Sequence, residues 1–577
     1  MTAGAPAVAL LYDDDAFQER SGPIARTSTG PSGLMGRQVA GRAFLDAYLR
    51  HGTWSEMHAL IRDHASAESI TRTWRAQPRT SPNPRRLHIH SINDFHETFF
   101  RSPRATLIHA PQPPDPAFAW ARQQAGPGAF ALSGVTHTLC SLEAVALLRS
   151  LVDAPFEPCD ALVCTSRAVE AMVRAVTGTY AAFLSERFGV KESSRQATPV
   201  RLEIIPLGVD TERFRPATVE ERGEARALFG LAEDEVAVLF VGRLSHHAKA
   251  HPYPLYHAAE QASVTVGRPL RLLLAGWTAN EAVRAAFVEG ARTFAPNVRT
   301  DFLDGTEPVT RRSVWHAADL FVSLSDNVQE TFGLSVVEAM ASGLPVIASD
   351  WDGYRDLVVD GETGFLVPTA IVAGATADAT ARLLLGSLNY DHFLAECSQS
   401  TAVDPNAAAS ALSRLVADES LRRRMGDAGR RRALEQFAWP RIIRLYESLW
   451  NEQETERRAR SVRGNSVAIG RDGPAAYPSP ERSFAGYPSR VVDATDVVEP
   501  AGDLVALERL LATPLTHHAA GRRVSDPQLI LAAIERAPCT VAELDQEWAA
   551  AGIPFDIGRS TLAWMLKYGL LHLRPVP

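Results

Sequence analysis

Two stretches of this 577-residue chain, 8–205 and 236–367, alternate short apolar runs with amphipathic helical patterns, and few folds accept that alternation. A run of about four to eight apolar residues between turn signals is a strand buried on both faces. A helical segment between two such strands is the connection that parallel strands require. Val236-Ala237-Val238-Leu239-Phe240-Val241, Leu320-Phe321-Val322 and Val346-Ile347-Ala348 are runs of this kind, and 8–12 is a first strand near the start. The pattern predicts an α/β protein with two doubly wound, Rossmann-like domains, whose ligands bind beyond the C-terminal ends of the strands.

The segment 323–368 puts chemistry at one such strand end. Glu330 follows the run 320–322, and Thr331-Phe332-Gly333-Leu334-Ser335 leads into the helical pattern Val336-Val337-Glu338-Ala339-Met340. A strand, a turn carrying a carboxylate and a helix start are thus stacked together. Backbone N–H groups at a helix start attract phosphate or developing negative charge, and two carboxylates about two helical turns apart can each accept hydrogen bonds from sugar hydroxyls. A turn at Ser342-Gly343-Leu344-Pro345 feeds the next apolar strand, and Asp360-Gly361-Glu362-Thr363-Gly364 is a second turn. The arrangement is that of a sugar-nucleotide site.

The Glu330-x7-Glu338 pair inside E-T-F-G-L-S-V-V-E-A-M-A-S-G-L-P-V-I-A-S-D, with D-G-E-T-G-F-L-V-P after it, resembles the donor-site signature of retaining glycosyltransferases of family 4. The resemblance implies a GT-B fold, two Rossmann-like domains facing across a cleft. It implies transfer of a sugar, with retention, from a nucleotide-diphosphate donor to an acceptor hydroxyl on a glycan, lipid or small molecule. Arg243, which ends V-A-V-L-F-V-G-R, and Lys249 would hold the donor diphosphate, where a guanidinium and an ammonium stabilise charge building on the leaving group. Lys249-Ala250 stands where the family usually has Lys-Gly, in a loop one residue longer through Ser245-His246-His247-Ala248. Glu338 would hold the ribose hydroxyls, and Glu330 with the N–H groups of Thr331, Phe332, Gly333 and Leu334 would fix the donor sugar. His137 would line the sugar pocket from the first domain.

Gly33-Leu34-Met35-Gly36-Arg37, before the helical pattern 38–50, resembles the family's glycine-rich loop without its adjacent Gly-Gly, so Gly36 would approach the donor phosphate. Similar matches run through 159–166 (a strand and a Ser-capped helix), 201–216 (an interdomain strand and linker) and 421–450, where Phe437 and Trp439 form the family's F-x-W. The last of these implies a helix crossing back to the first domain. No residue stands out as a covalent nucleophile, which suits a front-face mechanism in which the leaving phosphate helps deprotonate the acceptor. The implied enzyme needs no metal and no cofactor. Asp13-Asp14-Asp15 is an acidic loop at a first strand end, and His246, His247, His251 and His257 match no metal-ligand spacing.

Other assignments compete with these. On the same fold stand a phosphorylase and a disaccharide synthase; further off is a non-catalytic protein that senses sugar nucleotides. Residue by residue, Glu330 and Glu338 compete with solvated carboxylates at a helix start, Arg243 and Lys249 with ordinary salt-bridge residues, His137 with a structural histidine, and Gly36 with a turn glycine.

The expected domains are 1–210, an acceptor domain; 211–436, a donor domain; 437–456, a crossover helix; 457–500, a linker rich in charge, Gly, Pro and Ser; and 501–577, a mainly helical module. In that module, helical patterns at 526–536, 540–548 and 559–568 precede a short strand at 570–573, an arrangement that resembles a winged helix. From Glu481 onward, twelve acidic residues face nine basic ones, a poor footprint for nucleic acid, so the module is expected to dock a protein or pack. The stretch 372–405, with Asn389-Tyr390-Asp391 and Cys397, has no assigned role. A net charge of −8 and a pI near 6.1 give no bulk attraction to nucleic acid or anionic lipid. Five scattered cysteines, no signal peptide and no apolar run of membrane-spanning length are expected of a cytoplasmic protein with at most peripheral membrane contact.

Overall fold

A computed structural model describes residues 6–17, 36–77, 85–95, 97–101, 103–189, 197–462, 474–516 and 527–574. It divides into two compact units, 1–469 and 470–577.

The first unit holds two parallel sheets. One has seven strands: β1 (Val8–Tyr12), β2 (Glu56–Ile61), β3 (Arg86–Ser91), β4 (Leu107–Ala110), β5 (Ala131–Val135), β6 (Ala161–Cys164) and β7 (Arg201–Ile204), in the order β3-β2-β1-β4-β5-β6-β7. The other has six: β8 (Val236–Val241), β9 (Leu270–Gly276), β10 (Arg299–Asp304), β11 (Leu320–Ser323), β12 (Val346–Ser349) and β13 (Gly364–Val367), in the order β10-β9-β8-β11-β12-β13. In each sheet the order reverses beside its first strand, between β1 and β4 and between β8 and β11. At that switch point the connections leave on opposite faces and open a crevice at the C-terminal ends.

Burial explains the runs seen in the sequence. Along β8, Val236, Val238 and Phe240 enter one core layer while Ala237 and Leu239 enter the layer on the other face. A strand covered by helices on both sides has no polar face to alternate with, so it is apolar throughout.

The chain crosses between the sheets twice, and the two crossings pair. After β7 the N–H of Val209 donates to the carbonyl of Phe437 at 2.8 Å. Gly208 is required there: a Cβ would lie 2.3 Å from the ring of Trp439. The helix Trp439–Val462 then returns to the first domain, where Trp439, Ile442, Tyr446 and Trp450 share a core with Leu10, Phe44 and Tyr48. This helix runs past Glu456 into the span expected as linker. Arg457 donates to the Gly128 carbonyl at 2.6 Å and Arg460 pairs with Glu157 at 2.7 Å, so it has first-domain partners to its last turns.

The unassigned stretch is an excursion from the end of β13. It starts at β14 (Thr369–Ile371), carries helices Ala379–Leu384 and Tyr390–Gln399, and returns on β15 (Thr401–Val403), antiparallel to β14.

The second unit has its own core, formed by Val498, Leu507, Leu544, Trp548, Leu562 and Met565 among others. Its helices include Leu504–Ala512, Pro527–Arg536, Val541–Ala550 and Phe555–Lys567. Thr540 caps the third of these with a capping box to Glu543. The sheet holds more than the expected short strand: β16 (Val497–Pro500) lies between β17 (Cys539–Thr540) and β18 (Leu571–Leu573), antiparallel to both. The central strand thus precedes the helices and falls inside the span expected as linker. Four residues ending in proline, among charged and turn-forming neighbours, are too short to show a period.

Candidate functional site

The second sheet brings the ends of β8 and β11 side by side. Arg243 leaves β8 through Gly242; its Nη2 donates to the Ala248 carbonyl at 3.0 Å and to Gln329 Oε1 at 3.1 Å. The loop after it is closed from β11: Ser325 Oγ donates to the Lys249 carbonyl at 2.9 Å and Asn327 Nδ2 to the His247 carbonyl at 2.5 Å. These bonds carry Lys249 to Glu330, and the two side chains form a largely buried ion pair.

Burial alone would raise Glu330, but the Lys249 ammonium, its hydrogen bond, and the N–H groups of Phe332 and Thr331 outweigh it and hold the carboxyl below the ordinary range. The same pairing raises Lys249 against the opposing effect of burial. The N–H groups of Thr331 and Phe332, expected to face a donor sugar, are therefore directed at the carboxylate of Glu330. Tyr354 closes the other side, its hydroxyl 2.8 Å from Ser323 Oγ and 3.4 Å from Glu330 Oε2.

Gly333, at φ 102°, starts the helix Leu334–Ala341 with no side-chain cap. A Cβ on Gly333 would lie 2.3 Å from the Tyr354 ring, so the turn needs glycine for both its conformation and its space. Glu338, half-buried, is on this helix. Burial pushes its carboxyl up to about 7 against the neighbouring charges of Arg213, Arg311 and Lys249.

The first domain meets this turn directly. Ser166 Oγ donates to the Thr331 carbonyl at 3.0 Å, Thr165 Oγ1 reaches the same oxygen at 3.4 Å, and the Arg167 N–H and Nε donate to the Asp356 carboxylate, each at 2.7 Å. Thr165 and Ser166 follow β6, while Thr331, Asp352 and Asp356 follow β11 and β12, so the C-terminal ends of the two sheets face one cleft. That is the GT-B arrangement.

Of the remaining expected site residues, His137 lines a cavity of about 20 Å³ in the first domain with His109, Phe44 and Trp439. Gly36 is the first residue of the helix Gly36–His51, and residues 33–35 before it lie outside the described residues. Among the described residues, no three His, Cys, Asp or Glu side chains cluster so as to hold a metal ion, and no helix is long and apolar enough to cross a membrane.

Sequence reasoning missed several contributors, Tyr354, Ser325 and Asn327 among them. Gln329 and Tyr390 join the Arg243 side of the site, Ser166 was seen only as a helix cap, and Asp352 was passed over. Asp352 is the one non-glycine residue at positive φ among the described residues, at 46°. Burial first, then the charge of Glu330, pushes its carboxyl up to about 8. The Asp352-Gly353 dipeptide straight after a buried strand is a turn signal that could have found it.

Residues 221–399 match the family model described as "Glycosyl transferases group 1". The chain is 34% identical over 235 residues to a D-inositol 3-phosphate glycosyltransferase of Rhodococcus erythropolis, covering 40% of this chain and 50% of that protein. It is 35% identical over 235 residues to the protein of the same name from Nocardia farcinica, covering 40% and 49%. The chain thus spans about half the length of the curated relatives it matches. Among solved structures, sucrose-phosphate synthase from Thermosynechococcus elongatus is similar over 78% of this chain and 100% of its own, at TM-score 0.46 and 21% identity. HepE of Anabaena, solved with UDP and glucose, is similar over 79% and 99%, at TM-score 0.45 and 16% identity.

Proposed function

We propose, from the premise that residues 221–399 are a glycosyl transferases group 1 domain, that this protein is a retaining, metal-independent glycosyltransferase moving a sugar from a nucleotide-diphosphate donor to an acceptor hydroxyl. The observation that carries the reading is the buried Lys249–Glu330 pair, with Arg243 alongside and an uncapped helix start at Gly333, at the strand ends of a cleft between two doubly wound domains.

Two fixed cations beside a helix N-terminus suit a diphosphate. Arg243 and Lys249 stabilise the charge that grows on the leaving group, which is the task a metal performs in other transferases. Glu330 orients the donor sugar, and Glu338 in its ionised form accepts the ribose hydroxyls. His137 lines the first-domain side. The leaving phosphate takes the acceptor proton on the same face, so configuration is retained with no protein nucleophile. Cleft closure through Ser166 and Thr331 excludes water and limits hydrolysis of the donor.

A thermal-shift panel of UDP-, GDP- and ADP-sugars tests the reading, because a ligand of the native state raises Tm by mass action. One nucleotide series should stand out, and turnover of that donor with and without EDTA then tests metal independence. A chain that responds to none of the three series is not this enzyme.

A further inference from the structure

The excursion between β13 and β15 sends one side chain into the cleft. Tyr390 is the first residue of its helix, with Asn389 as N-cap accepting from the His392 N–H at 2.9 Å. The Tyr390 hydroxyl lies 3.1 Å from Gln329 Nε2 and 3.0 Å from Cys140 Sγ. Gln329 is the residue whose Oε1 accepts from Arg243.

The chemistry of these groups fixes the direction of the two bonds that Gln329 makes. A guanidinium only donates, so Gln329 turns its oxygen to Arg243 and its NH₂ to Tyr390. An amide NH₂ only donates, so the phenol oxygen accepts from it, and the phenol and the Cys140 thiol share the second bond, in which either can donate. A chain of three hydrogen bonds results, Arg243 to Gln329 to Tyr390 to Cys140. It starts at the end of β8 in the second domain and ends in the loop after β5 in the first, three residues beyond His137.

We propose that Tyr390 is a positioning residue that couples closure of the cleft to the orientation of the Arg243 guanidinium. This rests on the assignment of Arg243 to the donor diphosphate. Arg243 is mostly withdrawn from water, and burial disfavours its charge, with Asp391 and Tyr390 opposing that effect. A guanidinium in such a place is aimed by its hydrogen-bond acceptors, of which Gln329 is itself held only if its amide is satisfied at both ends. The Gln329 N–H donates to Asn327 Oδ1 at 2.9 Å, so the turn is held from its own backbone on one side and through the Gln329 side chain by Tyr390 on the other. Cys140 supplies the cross-cleft end: when the domains separate, the phenol loses this partner and the chain slackens toward Arg243.

Two measurements on the full chain test this. The first is calorimetry with UDP and with uridine, or with the GDP and ADP pairs should the donor panel favour those, which separates the diphosphate contribution from that of the nucleoside. Tyr390→Phe should weaken the nucleoside diphosphate by about 3- to 10-fold, the loss of one hydrogen bond, and leave the nucleoside unchanged. Cys140→Ala should act in the same direction, Cys140→Ser should retain binding because a hydroxyl also accepts the phenol proton, and the double variant should be no weaker than Tyr390→Phe alone. Equal weakening of nucleoside and nucleoside diphosphate, or additive losses, would overturn the proposal in favour of a packing role. The second is amide hydrogen exchange across 327–334 without nucleotide. It should accelerate in Tyr390→Phe and in Cys140→Ala but not in Cys140→Ser, and exchange that stays at the wild-type rate in all three overturns the relay. A wild-type chain that binds none of the nucleoside diphosphates refutes the assigned function, and the exchange result still decides the relay.

Discussion

Replacing Lys249 with methionine should destabilise the second domain and reverse how Glu330 links its stability to pH. The side chains of Lys249 and Glu330 keep 24% and 12% of their exposure, so the pair is largely out of water. Removing one partner of a buried ion pair costs about 3–5 kcal/mol, because the other charge is left uncompensated. Glu330 would retain the N–H groups of Phe332 and Thr331 and the Tyr354 hydroxyl. That places the loss near the lower end, about 3 kcal/mol. For a domain of roughly 150–250 residues this is a fall of about 6–12 °C in Tm. In the wild type, Glu330 sits below its ordinary 4.5, so its stabilisation is present above that value and is lost as pH falls through the lower folded value. Without the ammonium and its hydrogen bond, the largest effect left on Glu330 is burial, which raises it against the two N–H groups. The native state then holds a proton that the unfolded chain has released, and the variant recovers stability as pH falls. Thermal unfolding of both proteins at about pH 5 and about pH 8 reads the difference, to which Glu338, also lowered by the Lys249 charge, adds in the same direction. Lys249→Met with Glu330→Gln should regain most of the loss. A single variant that melts within about 1 °C of wild type, a gap that does not narrow at the lower pH, or a double variant no better than the single one refutes the reasoning.

Other perturbations have definite signs. Burial first, then the charges of His90, His88 and Arg104, push His58 down to about 4 from 6.5. The unfolded chain therefore binds the extra proton, stability is full above pH 6.5 and falls by up to about 3 kcal/mol as pH drops toward 4, and His58→Leu should flatten the urea midpoint across that window. An unchanged acid slope counts against it. With Glu338 near 7 and its ionised form binding ribose, nucleotide affinity should rise about tenfold from pH 6 to pH 8, and Glu338→Gln should abolish the rise; equal pH dependence in calorimetry of both proteins would falsify the assignment. Arg243→Ala should lower kcat more than it weakens donor binding, since the leaving-group charge is greatest in the transition state; a change in KM alone contradicts this. A chain ending at Val462 keeps the partners of Arg457 and Arg460 and should remain soluble and bind nucleotide as the full chain does. An insoluble product would show that the second unit is needed for folding.

The fold was legible where burial is two-sided. Val8–Tyr12, Val236–Val241, Leu320–Ser323 and Val346–Ser349 are apolar along their length because helices cover both faces, so composition alone locates them. The strand Val497–Pro500 was not legible, since four residues with alternating burial look like any polar segment ending in proline. The caps were legible for a local reason: Ser166 bonds the N–H of Val169 three residues on, and Thr540 that of Glu543, so donor and acceptor lie within one turn of sequence.

The site divides along the same line. Glu330, Gly333 and Glu338 are arranged by one strand, one turn and one helix, and their spacing carries over from sequence to space. The Lys249–Glu330 pair joins two strand ends that are adjacent at the switch point, so topology brings it within reach once the sheet order is known. Tyr390 and Ser166 follow neither route. Tyr390 meets Cys140 across 250 positions and Ser166 meets Thr331 across 165, and no periodicity specifies which side chain of one domain will touch the other. Yet these two residues fix opposite ends of one short turn, Gln329 from the excursion within the second domain and Thr331 from the first domain, and only the second attachment crosses the cleft. The turn that carries Glu330 and bonds Arg243 through Gln329 is thus held from both domains. Its sequence encodes the groups, and the contact between the domains adds a support that no local pattern specifies.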